Sequence, residues 1–80
     1  MGLTAKLTTV LQAYVDGTAV LDHVHEWLID HVQVVADSSD QKLQELDARA
    51  WMLISEWDLG HRTEESVRQE IAEALRAAKE

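Results

Sequence analysis

Eighty residues, a net charge of −8 and neither cysteine nor proline exclude several classes of protein at once. The negative charge repels phosphate backbones and argues against nucleic-acid binding, and the absence of thiols removes both a disulfide framework and a thiolate metal site. A chain this short buries only about 60% of the surface its unfolded form exposes, so one domain of modest stability is expected, without extra mass for a deep pocket.

Glycine occurs only at Gly2, Gly17 and Gly60, which leaves long stretches free of helix breakers. The fold expected is all-α, a four-helix bundle-like domain with short loops and helices over about 4–16, 18–36, 39–59 and 63–79. No stretch has the length of a membrane span and the start MGLTAK lacks the apolar run of a signal peptide, so a cytoplasmic location is expected.

In the first helix, capped by Thr4, residues Leu7, Leu11 and Tyr14 share one face, flanked by Val10 and Val15. Asp16-Gly17-Thr18 reads as a stop followed at once by a start, because glycine takes the left-handed conformation after a helix and threonine can cap the next one. The second helix spreads Val20, Leu21, Val24, Trp27, Leu28, His31, Val32, Val34 and Val35 over a wide apolar arc. So wide an arc predicts contact with more than one neighbour. Its other side carries Asp22, His23, Glu26, Asp30, Gln33 and Asp37, and no Lys or Arg lies between Lys6 and Lys42.

The third helix follows the polar loop Asp37-Ser38-Ser39-Asp40, with Ser38 or Ser39 as its cap. Leu43, Leu46, Ala50, Leu53 and Trp57 recur three and four residues apart and form one stripe, the core seam. Ala48, Met52 and Leu59 fall on roughly the opposite side, with Trp51 on the flank between. That second apolar side predicts a helix sandwiched between its own chain and either another helix or a second molecule. Gly60 ends the helix. Thr63 caps the fourth, with Glu64 and Glu65 in its first turn and a smaller stripe of Val67, Ile71, Ala74, Leu75 and Ala78.

Among groups that could carry chemistry, HEWLIDH glances at the zinc-protease motif, which needs its histidines four residues apart. His25 and His31 are six apart and differ by about 120° in direction. His23, Glu26 and Asp30 share a face that could hold a divalent ion weakly, but a solvated acidic face is the simpler reading. His31 lies in the apolar arc, where it is either satisfied by a neighbouring carbonyl or responds to pH. No nucleophile elbow or Gly-rich loop is present. The chain reads as a non-enzyme that needs no cofactor. Trp27 and Trp57 are expected in the core.

The elements Tyr14-Val15-Asp16-Gly17, Trp27-Leu28, Glu56-Trp57 and Gly60-His61-Arg62-Thr63-Glu64-Glu65 resemble a pattern of small uncharacterised all-helical proteins of high-GC bacteria. It consists of caps and core anchors, so the resemblance implies a helical fold and transfers no functional residue. In size and charge the chain is similar in kind to acidic helical immunity proteins that neutralise nuclease toxins, though no motif of theirs is matched. Two functions are therefore expected. The first is a protein-binding module, of inhibitor, immunity or antitoxin type, that turns Asp22, Glu26, Asp30 and Asp37 to a basic partner. The alternative is a homodimer assembled through Ala48, Trp51, Met52 and Leu59.

Overall fold

The computed structural model describes residues 2–79, and these form an all-α bundle of five helices with no strand. They are α1 (Leu3–Val15), α2 (Leu21–Asp30), α3 (Val32–Ala36), α4 (Gln41–Asp58) and α5 (Glu64–Lys79). Helices α1, α4 and α5 pack against one another; α2 lies on α1 and α4, and α3 on α4. The core is the expected set of stripes: Leu7, Leu11 and Tyr14 from α1, Leu21, Val24 and Leu28 from α2, Leu43, Leu46, Ala50 and Leu53 from α4, and Val67, Ile71 and Leu75 from α5. Ile54, which the three–four spacing passes over, is buried as well.

Both glycine stops have the same geometry. Gly17 and Gly60 have φ of 85° and 81°, the left-handed region that costs glycine nothing. After α1, the N–H of Gly17 donates to Tyr14 O at 3.1 Å and that of Thr18 to Ala13 O at 2.9 Å. After α4, the N–H of Gly60 donates to Trp57 O at 3.0 Å and that of His61 to Glu56 O at 2.8 Å. This paired pattern consumes carbonyls that would otherwise end the helix unsatisfied.

The starts of the helices depart from expectation. Helix α1 is capped by the backbone of Gly2 rather than by Thr4, and α2 begins after Val20 with no side-chain cap. The Thr18 hydroxyl points backwards and donates to Ala13 O at 3.0 Å. Asp40, not Ser38 or Ser39, caps α4: its Oδ1 accepts from the N–H of Lys42 at 3.0 Å and of Leu43 at 3.3 Å, and its Oδ2 accepts from the Thr4 hydroxyl. A carboxylate with two oxygens can serve a helix terminus and a distant hydroxyl together, and both bonds hold its pKa below the ordinary 3.8, the Thr4 bond first. Ser38 supports that arrangement by accepting from the Asp40 N–H at 3.1 Å. Thr63 behaves as expected, accepting from the Ser66 N–H at 3.1 Å.

The expected second helix, 18–36, is broken at His31, whose φ of −113° and ψ of 9° leave the helical region. Its Nδ1 lies 2.8 Å from Trp27 O, and its backbone N–H donates to the same carbonyl at 3.1 Å. A carbonyl can only accept, so Nδ1 carries the proton. The two rings stack, with centroids 3.9 Å apart and planes at 11°. A ring that competes for the helix's own carbonyl, followed by the β-branched run Val32-Gln33-Val34-Val35, weakens the continuous ladder. The consequence is that the wide apolar arc is not wholly buried. Val35 reaches the core, whereas Val20, Val32 and Val34 stay half or more exposed. Trp27 and Trp57, expected inside, pack against the edge of the core and are only partly buried.

Candidate protein-binding surface

Asp22, Glu26 and Asp30 lie on the solvent side of α2, and Asp37 follows α3; all four are exposed. Their placement follows from period alone: with Leu21, Val24 and Leu28 turned inward, positions 22, 26 and 30 must face out. Asp37 accepts a hydrogen bond from Gln33 Nε2 at 3.2 Å. Among the described residues the ion pairs are Arg49–Glu70 at 3.4 Å, Arg62–Glu56 at 2.8 Å and Arg68–Glu64 at 3.4 Å. Every one of them lies on α4, α5 or the loop between. Among the described residues none of the α2 carboxylates has a cation within salt-bridge distance.

His23, Glu26 and Asp30 share the face the period predicts, yet among the described residues no three His, Asp or Glu side chains are grouped closely enough to hold a metal ion. A single helix face spreads its residues along the axis, so ligands at positions 23, 26 and 30 point in parallel rather than inward on a point. The solvated acidic face, the simpler of the two readings of these residues, is the arrangement that the geometry of the described residues matches.

The second apolar side of α4 is also only partly as expected. Trp51 is half-buried, covered by its own chain: the His25 ring of α2 meets it edge-on, centroids 5.5 Å apart and planes at 86°. Such T-shaped pairs set the positive ring edge against the negative face. Ala48, Met52 and Leu59 have no such cover; Met52 is 49% and Leu59 72% exposed. The sandwiched helix therefore exists on the Trp51 flank and not on the side away from the core. The four other helices wrap α4 on its seam and flank, and none is left to close the far side.

Two residues of this region escaped the reading of the sequence. Ile29, 51% exposed, stands one turn after His25 on the solvent flank of α2. Asp47, one turn before Trp51, keeps its Oδ1 buried without a hydrogen-bond partner, and burial pushes its carboxyl above the ordinary 3.8. The signal for Asp47 was present in the spacing, since position 47 lies four after Leu43 and three before Ala50, at the margin of the seam.

Shallow grooves mark the rest of the surface. One of about 420 Å³ runs between α4 and α5, lined by Leu46, Ala48, Arg49, Ala74 and Ala78 among others, and one of about 320 Å³ between α1 and α2 is lined by Lys6, Val10 and Trp27. No helix is long and apolar enough to cross a membrane among the described residues. No family model matches this chain, and no curated protein or solved structure matches it either.

Proposed function

We propose that this chain is a non-enzymatic protein-binding module that presents the acidic flank of α2 to a basic surface on a partner, as an inhibitor or immunity-type protein does. One observation carries the reading: Asp22, Glu26 and Asp30 are exposed and, among the described residues, without a cation at salt-bridge distance, while the arginines that pair do so on α4, α5 and their loop. Unpaired charge of one sign on one face raises the encounter rate with an oppositely charged partner and selects against wrong ones more than it adds affinity. The test is affinity capture at low and high salt with the chain and with its Asp22→Lys, Glu26→Lys double variant. The reading expects partners that are released by salt and lost on charge reversal. Identical partners with identical salt sensitivity would reduce the face to simple solvation.

A second reading, a homodimer through Ala48, Trp51, Met52 and Leu59, is favoured by the exposure of Met52 and Leu59. Light scattering over a range of concentrations separates the two. A mass that stays monomeric throughout removes the dimer.

A further inference from the structure

We infer that the crease between α2 and α4, walled by Ile29 and His25 on one helix and by Trp51 and Met52 on the other, seats a basic amphipathic helix of a partner protein. This rests on the acidic-module reading and adds to it the apolar half of the contact. The His25–Trp51 pair forms the floor of the crease, and Ile29 and Met52 flank it along the two helices. Ile29 lies one turn beyond His25 on the same flank, Met52 stands beside Trp51 on the side farther from the core, and the His25–Trp51 edge contact at 5.5 Å joins the two helices. Ile29 and Met52 are 51% and 49% exposed, so apolar atoms on both banks stay partly in water.

The charges around the crease decide the occupant. Glu26 lies one turn before Ile29, Asp22 points in nearly the same direction as Ile29, and Asp47 lies one turn before Trp51. None of the three has a cation within salt-bridge distance among the described residues. Seating a second copy would bring these carboxylates, and two net charges of −8, against each other, and like charges facing across an interface repel. A helix with an aliphatic stripe and Lys or Arg on its flanks meets both requirements. Neighbouring helices pack about 8–10 Å apart, so a third helix laid over the crease touches both banks through residues spaced three, four and seven apart.

The probe is a synthetic basic peptide of roughly four turns with leucines at that spacing and lysines elsewhere, compared with an isomer of identical composition whose leucines are scattered around the helix. Binding is followed by calorimetry, with circular dichroism as the check on folding. The segregated peptide is expected to bind at least about tenfold more tightly than its isomer, and Ile29→Glu and Met52→Glu each to erase that preference. Should either glutamate variant lose helicity, Ile29→Ser and Met52→Gln replace them. Equal binding of both peptides, weakened by Asp22→Lys with Glu26→Lys, overturns the crease and leaves the acidic module standing. Equal binding that charge reversal does not weaken overturns both. Absence of binding by either peptide, or a dimer that Met52→Glu splits, likewise overturns the assignment of a basic helix to the crease.

Discussion

Tyr14 offers the sharpest test of how α1 and α5 are held together. Its ring is fully buried, its hydroxyl lies 3.4 Å from both the carbonyl and the carboxylate Oε2 of Glu64, and the Arg68 guanidinium sits 4.9 Å from the ring centroid. Burial first, and the Glu64 charge second, push its pKa from 10.0 to about 12, against a smaller opposite pull from Arg68. Because the unfolded chain loses this proton at lower pH than the folded one, stability is unaffected by Tyr14 below pH 10 and falls as pH rises from 10 towards 12. The loss amounts to about 2–3 kcal/mol when ionisation is complete, a large part of the stability of so small a domain. At pH 7, Tyr14→Phe keeps the ring and removes two long hydrogen bonds, so a cost near the lower end of about 0.5–1.5 kcal/mol is expected. The assay is urea denaturation of both proteins from pH 7 to 11. Tyr14 is the chain's single tyrosine, so tyrosinate absorbance reports its ionisation directly. An alkaline loss of equal size in Tyr14→Phe, or a tyrosinate midpoint at 10 in the folded protein, would refute the reasoning.

Three further outcomes follow from the geometry. Asp40→Ala removes the α4 cap and the tie to Thr4; since the Asp40 pKa is depressed, its stabilising effect is complete above its unfolded value of 3.8 and disappears as pH falls through the lower folded value, so melting temperatures of variant and wild type should converge in acid. Asp47→Asn removes a charge that burial disfavours and should raise stability slightly at pH 7, solvent screening keeping the gain small; the raised carboxyl is neutral below 3.8 in both states, so the gain should vanish near pH 3 in thermal melts. Leu53→Ala should cost about 2–5 kcal/mol, while Met52→Ala next to it should cost a small fraction of that, because Leu53 is buried and Met52 is half in water. Equal losses at the two positions in chemical denaturation would mean that Met52 is covered after all.

The acidic face was legible because it needs only a period. Once Leu21, Val24 and Leu28 are inward, Asp22, Glu26 and Asp30 can only be outward. The crease beside it was not. Its aromatic bridge joins His25 to Trp51 across 26 positions of chain, and no local spacing reports which flank of one helix meets which flank of another. The same limit explains the caps: Thr4 has the right chemistry to begin a helix, and its hydroxyl is instead drawn to Asp40, a residue brought near only by packing.

By itself the sequence determined that the chain is helical, where Gly17 and Gly60 end two of the helices, and which stripes of α1, α4 and α5 form the core. These follow from the 3.6-residue period and from backbone conformations open to glycine, both of which are local. Only the tertiary structure decided that the valine-rich helix breaks at His31, that Trp51 is covered by His25 and that Met52 and Leu59 are not. Burial depends on how many neighbouring elements a short chain can bring against each face, and α1, α2, α3 and α5 are used up on the seam of α4 and one of its flanks.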